Sequence, residues 1–401
     1  MNAYERKPPS AFVLSLVQRY YLFLLFANST LHKINFFFVF LHGIKIYKVK
    51  LHVFNPEHDM ALAFNGKYFT APHAGRQLRS DCDFLPVIWA HEGDAVLVDD
   101  IESAKAHLRR LGIDSSKYEL VTKQLPRRLN RIKSIEPWGW DEAIAFKLGR
   151  LGISADLLPS HAQIASWREL SSRRFAALAL HDVCERLQSR HCAVVGSATY
   201  VTQAEDIKEM LHSKPKSVIK APWSSSGRGI RYVQDQLDPS IERWAENVIS
   251  QQGGIMIEPY YNKVKDFGME FTVRNGQITY NGLSIFSTVH GAYTGNVIAN
   301  EAYKQEALSV YLSPDVLKEV RNVIKEVLEP SLSNYNGCFG VDMMIVRDNN
   351  ENLLLHPMVE INLRRTMGHV ALALSERKPS THAIMRIVYE GTRYHLRLLR
   401  M

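Results

Sequence analysis

Cysteine is scarce. The 401 residues hold four, Cys82, Cys184, Cys192 and Cys338, and none forms a CxxC pair. That spacing excludes a zinc knuckle or a thioredoxin-like redox motif and leads us to expect reduced thiols in a cytoplasmic chain. There is no GxxxxGK[ST] run and no GxGxxG opening a helix, so neither a P-loop nor a dinucleotide fingerprint is present. Internal repeats and low-complexity tracts are missing, and no Ser/His/Asp or Cys/His triad stands out. Charge of one sign is not in large excess, with 49 Lys+Arg against 41 Asp+Glu and a formal charge of +8. Residues 1–48 carry Arg6, Lys7, Arg19, Lys33, Lys45 and Lys48 against Glu5 alone, so most of that excess sits there. The mildly basic remainder gives no reason to expect a nucleic-acid partner.

Long apolar runs are also lacking. "AFVLSLVQRYYLFLLF" is interrupted by Gln18 and Arg19, and "INFFFVFLHGIKIY" falls short of the roughly 20 residues that span a bilayer. No small-x-small cleavage site follows the basic start. A membrane anchor, a signal peptide and a segment outside the native protein compete for residues 1–48. The expectation is the last, with the native chain starting at Val49, because "VKLHVFNPEHDMALAF" opens a clean strand. A membrane association is not expected.

What is present alternates. "KLHVFNP", "AVLVDD" and "YELVTK" read as strands, and "IESAKAHLRRLGI" reads as an amphipathic helix closed by glycine. This predicts an open parallel α/β domain over 49–165. "EPWGWDEAIAFKLGRLGI" and "SWRELSSRRFAALALHDVCERL" read as further helices, the second opening with serine capping chemistry. Over 166–401 the texture becomes strand-rich, with hairpin turns at "RNGQ" and "RDNNEN". "SPDVLKEVRNVIKEVLEPSL" is an amphipathic helix capped by Ser313 and Pro314. The tail "THAIMRIVYEGTRYHLRLL" reads as helical or mixed.

In "VIKAPWSSSGRGI" a lysine, Lys220, ends a β-branched run and a Ser/Gly-rich loop follows. A lysine in phase with Val218 needs an anion. Gly227 and Gly229 let the backbone turn, and successive N–H groups in such a loop make an anion-binding concavity. Downstream, Glu258 ends one strand and Glu270 sits inside an apolar one. Asp342 lies among Val341, Met343, Met344 and Ile345, and Glu360 and Asn362 stand two apart on one strand face. Acids in apolar strands need a cation, and an all-oxygen set suits Mg2+.

This order of strand lysine, glycine-rich loop, hinge glutamate, strand glutamate, strand aspartate and Glu-x-Asn resembles the ATP-grasp superfamily. D-alanine–D-alanine ligase and biotin carboxylase belong to it. The resemblance covers roughly 166–370. It implies an α/β and α+β fold: an N-terminal open α/β domain over 49–165, then a two-lobed core with a nucleotide lobe at about 190–270 and a metal and substrate lobe at about 271–401. It implies ATP and one or two Mg2+ ions as cofactors. The implied reaction is ADP-forming ligation, in which a small-molecule carboxylate becomes an acyl phosphate and an amine or thiol displaces phosphate. A kinase and a nucleotide-binding protein without turnover are the alternatives, and homodimers are common among such ligases.

Residue by residue, the resemblance places Lys220 at the nucleotide phosphates and Ser224, Ser225, Ser226, Gly227, Arg228 and Gly229 in a flap above them. Glu258, Pro259 and Tyr260 would form the adenine hinge, and Glu270 would lie near the ribose. Asp342, Glu360 and Asn362 would hold metal. Arg364 or Arg365 would reach a phosphate or a substrate carboxylate. Arg173 or Arg174 would supply a second cation at the start of the core. The gap from Asp342 to Glu360 is longer than in D-alanine ligases and contains Pro357, which implies an edge strand or a bulge. This makes Asp342 the least secure ligand. "STVHGAYTGN" is a candidate substrate loop, and His58 and Asp59 of "NPEHDMA" are candidates to face the acceptor, with capping of the next helix as the alternative. His290, His356 and His369 are assigned no catalytic role.

Overall fold

The computed structural model describes residues 49–124, 131–224, 228–289 and 292–401. The expectations for residues 1–48, and for Ser225, Ser226, Gly227 and His290, lie outside the described residues. Residues 49–401 form one compact unit. Among the described residues no helix is long and apolar enough to cross a membrane.

In chain order the unit begins β1 (Val49–Val53), α1 (His58–Phe64), α2 (His73–Cys82), β2 (Ala95–Leu97), α3 (Ile101–Arg110), β3 (Glu119–Val121), β4 (Ile132–Pro137) and α4 (Glu142–Arg150). Strands β3-β2-β1-β4 make a four-stranded parallel sheet, as the alternating pattern predicts. One expectation is corrected here. The helix read from "EPWGW" begins only at Glu142, where the Asp141 side chain accepts from the Ile144 N–H. The preceding Ile132–Pro137 is a strand paired with β1. Its alternation is short and ends in proline, which hides it from a periodicity reading.

Helices α5 (His161–Leu170) and α6 (Arg173–Ser189) follow, separated by Ser171 and Ser172. The Ser172 hydroxyl accepts from the Phe175 N–H and starts α6. Then come β5 (Thr199–Val201), α7 (Ala204–Ser213), β6 (Lys216–Lys220), β7 (Ile230–Gln234), α8 (Pro239–Gln252) and β8 (Ile255–Pro259). Their strands form an antiparallel sheet ordered β5-β8-β6-β7.

The remainder is β9 (Asn262–Arg274), β10 (Gln277–Val289), β11 (Ala292–Ile298), α9 (Glu301–Ser309), α10 (Pro314–Leu328), β12 (Gly337–Arg347), β13 (Leu353–Asn362), α11 (Met367–Arg377), β14 (Ala383–Glu390) and β15 (Arg393–Arg400). These strands make a seven-stranded antiparallel sheet ordered β13-β12-β9-β10-β11-β14-β15. The tail expected to be helical or mixed is the β14–β15 hairpin, turning at Gly391 with φ +62. Its buried Ala383 and Met385 keep the period of two, but Met, Leu and Arg carry helical propensity and obscure it.

Alternate residues divide the large sheet. Phe267, Met269, Phe271 and Val273 of β9, with Phe339, Val341, Met343 and Ile345 of β12, pack on α6 and α10. The even-numbered residues of both strands face the other way. A second core joins the parallel-sheet region to α11 and the last strands: Phe84, Val96 and Leu108 pack with Val370, Leu374, Met385 and Leu396.

Candidate active site

The face of the large sheet turned away from α6 and α10 carries the acids. Asp342 of β12 lies directly opposite Glu360 of β13, and Gly340 lies opposite Asn362. The ladder slips between Asp342 and Met344, so the stretch around Pro357 is irregular on what is an edge strand. That slip absorbs the long gap in sequence and brings Asp342 level with Glu360. Asn362 Nδ2 donates to Asp342 Oδ2 at 3.1 Å. Burial, then Glu360 and Glu270, push Asp342 up to about 8, although Asn362 and Arg364 pull the other way. Of the three carboxylates on this surface, Glu270 and Glu360 have cationic partners, and Asp342 is in no ion pair among the described residues.

Glu270 stands on the neighbouring strand, opposite Gly340. The sheet accommodates it only because two positions lack side chains. A Cβ on Gly340 would lie 2.6 Å from Glu270 Oε2, and one on Gly368 would lie 1.8 Å from Oε1. Glu270 is ion-paired with His369, whose Nδ1 is 2.9 Å from Oε2. His369 Nε2 faces the Phe271 carbonyl at 3.1 Å, while its Nδ1 also accepts from the Thr366 N–H at 3.2 Å in the capping box of α11. Burial lowers the His369 pKa, but the Glu270 carboxylate and Cys338 outweigh it and raise the ring to about 10.

The two candidate arginines part company. Arg364 is held bidentately by Asp59, with Nε to Oδ1 and Nη2 to Oδ2 both at 2.8 Å. Its Nη2 also donates to Asn362 Oδ1 at 2.8 Å, which fixes the amide so that Nδ2 meets Asp342. Arg365 instead lies over the Trp89 ring, 4.5 Å from its centre. At the start of α6, Arg173 is buried and pairs with Glu360 Oε1 at 2.8 Å. It also donates to the Ala221 carbonyl at 2.6 Å and Ser224 Oγ at 2.7 Å, tying the loop after β6 to the acidic face. Arg174 is not brought there and sits over Tyr200.

On the small sheet Lys220 pairs with Glu258 of the adjacent strand, both buried. The Tyr260 N–H is taken by the Lys216 carbonyl at 2.9 Å, and its exposed ring meets Tyr232 edge-on. The loop after Lys220 closes through Ala221 N–H to the Gly229 carbonyl at 2.8 Å, with Arg228 exposed at its rim. A Cβ on Gly229 would meet Ser224 at 2.3 Å. His356 of β13 is 1% exposed and neither ring nitrogen has a hydrogen-bond partner among the described residues. Burial, then Lys220, push it down to about 3, so it is neutral.

His58, Asp59, Ser224, Glu360 and Asn362 line one small cleft. Neither His58 nor Asp59 caps α1. His58 Nδ1 is paired with Asp141 Oδ2 at 2.9 Å, while Asp59 serves Arg364. Sequence reading missed the Asp59–Arg364 pair and the Glu270–His369 pair. Both join segments far apart in the chain, and only the bare presence of buried charge signalled them.

No family model matches the chain, and no curated protein matches it. Solved structures do resemble it. One is the biotin carboxylase domain of 2-oxoglutarate carboxylase from Hydrogenobacter thermophilus, at 15% identity over 85% of this chain and 74% of that one, TM-score 0.48. Another is N5-carboxyaminoimidazole synthetase from Staphylococcus aureus complexed with ADP, at 14% identity over 85% and 82%, TM-score 0.44. A third is an ATP-grasp superfamily protein from Archaeoglobus fulgidus, at 13% identity over 88% and 99%, TM-score 0.46.

Proposed function

We propose that the protein is an ATP-grasp enzyme, an ADP-forming ligase that activates a carboxylate with ATP and Mg2+. The observation that carries this reading is the acidic face itself. Asp342, Glu360 and Asn362 are in register on one surface, and Asp342 is raised to about 8 by burial and by its neighbouring carboxylates. An oxygen-only donor set short of positive charge fits Mg2+, which prefers a few protein oxygens and leaves positions for phosphate. Those three residues would hold the ion, which would neutralise charge on the transferring phosphoryl group.

The rest of the work falls to this chain's own side chains. Lys220 and the loop through Gly229 bind the phosphates, with Glu258 orienting the lysine. Arg173 sits between that loop and Glu360, so it aligns phosphate against the acidic face. The substrate carboxylate oxygen bonds to the γ-phosphorus as the bond to ADP breaks. An amine or thiol then bonds to the acyl carbon, phosphate leaves, and the acceptor loses its proton. No protein nucleophile is needed; alignment and charge neutralisation suffice.

The test is a thermal shift of the full chain with a non-hydrolysable ATP analogue, with and without Mg2+, followed by phosphate release in mixtures of carboxylates and amines. A Mg2+-dependent rise in Tm and phosphate release needing both co-substrates are expected. No shift in folded protein, or a stable phosphorylated product made without an acceptor, would overturn the ligase reading.

A further inference from the structure

The four cysteines are not alike. Cys82, Cys184 and Cys192 are buried in the apolar cores, and burial raises all three thiols. Cys338 is only half-buried. It is the second residue of β12 and is in phase with Gly340 and Asp342, on the face turned away from the core. There it lines a cavity of about 520 Å³, which Arg365, just beyond β13, and His369 and Glu376 of α11 also line. The cavity is within the size range of small-molecule sites.

Every element packed around the thiol contributes a polar or charged group. From β9, Thr272 places its Oγ1 3.8 Å from Sγ. From α11, His369 is hydrogen-bonded to the thiol and is backed by Glu270 of β9, 2.9 Å from its Nδ1. Arg365 lies over the Trp89 ring, and its one ion-pair partner among the described residues, Glu136, is 3.9 Å away and already engaged by Lys50. The Tyr335 hydroxyl donates to the Cys338 carbonyl at 3.0 Å, so it meets the backbone. Lys50, Glu136 and Arg274 line the same cavity. Burial on its own would raise Cys338, but Arg365, then His369, outweigh it and bring the thiol down to about 7. A thiol of that kind is about half ionised at neutral pH, against a few per cent for an ordinary cysteine, and the thiolate is the reactive form.

We propose that Cys338 is a site of reversible covalent modification, the one thiol of this chain that exchanges with a small disulfide. The thiolate sulfur attacks one sulfur of the disulfide; a new S–S bond forms to Cys338 and the original S–S bond breaks. The departing thiolate takes up a proton, so the disulfide is the only oxidant required. Arg365 and His369 hold the thiolate, and the cavity houses the half of the reagent that stays attached. The adduct occupies the face that carries Asp342, four positions further along the same strand. None of this rests on the ligase reading.

Oxidised glutathione added to the full, folded chain, with the adduct mapped by peptide mass spectrometry, gives the first test. One adduct is expected, on Cys338, removed by dithiothreitol and absent in Cys338→Ser. Iodoacetamide alkylation of Cys338 followed against pH gives the second. Its rate should reach half of the plateau near pH 7, below the about 8.5 of an ordinary cysteine. In Arg365→Gln that midpoint should rise by about one unit, with a thermal melt to report that the variant folds. Both wild-type readings stand on their own if it does not fold. No adduct, an adduct mainly on Cys82, Cys184 or Cys192, or a wild-type midpoint at about 8.5 or above overturns the proposal. So does an unmoved midpoint in folded Arg365→Gln.

Discussion

Strands β9 and β12 present two faces made from alternate residues of the same sequence. On one, Phe271 stacks on Phe339 with ring centres 4.9 Å apart, inside the core against α6 and α10. On the other, Glu270 and Asp342 stand with Gly340 between them, and Asp342 is charged only with difficulty. The first face is optimised for burial. The second gathers carboxylates whose charge burial penalises, and two of them, Glu270 and Glu360, are paired with His369 and Arg173. The apolar and acidic faces are therefore separated by a single residue of phase.

The sharpest way to break that separation is on the apolar side. Phe271→Ala should lower unfolding free energy by about 3–5 kcal/mol, read from the denaturant midpoint, and take activity with it. On the acidic side, Glu360→Gln should reduce Mg2+-dependent turnover by at least about 100-fold while stability stays within about 1 kcal/mol. Glutamine still accepts from Arg173, and Asp342 loses a repelling neighbour. A stability loss as large as that of Phe271→Ala would make Glu360 a structural residue.

His356 tests the place where the alternation slips. Its ordinary value is near 6.5, and in the fold it is held at about 3. Between those values the unfolded chain binds a proton that the native chain does not, so stability falls as pH drops from about 6.5 toward 3. Replacing the ring by His356→Leu should flatten that acid limb by a few kcal/mol, measured as urea unfolding at pH 4 and pH 7. A limb of unchanged slope would place the acid sensitivity elsewhere. The smallest effect is expected from Ser172→Ala. It removes the cap that starts α6 and should cost about 1 kcal/mol. Because Arg173 is the next residue, it should also weaken ATP-analogue binding slightly, which a cap elsewhere, such as Ser313→Ala, should not.

Much of this arrangement was legible in the sequence because it is periodic. The phase of Phe267 to Val273 against Glu270, and of Glu360 against Asn362, gives the two faces directly. Ser313 and Pro314 announce α10, and a lysine in phase with the apolar Val218 announces an anionic partner, which is Glu258. What could not be read is non-local. Asp59 and Arg364 are 305 positions apart, and nothing in either neighbourhood names the other. The same holds for Glu270 and His369. β14 and β15 were obscured for a different reason, since their composition favours helix while pairing with β11 and with each other makes them strands.

The second core, in which Phe84, Val96 and Leu108 meet Val370, Leu374, Met385 and Leu396, also sets an order of events during synthesis. The parallel sheet leaves the ribosome early, but the wall that covers one side of it comes from β14, β15 and α11, near the end of the chain. At about 5–20 residues per second the wall arrives on the order of ten to fifty seconds after β4. Until then the nascent chain exposes an apolar surface that nothing yet synthesised can cover. Any chain interrupted before Met367 is therefore left with an exposed apolar face.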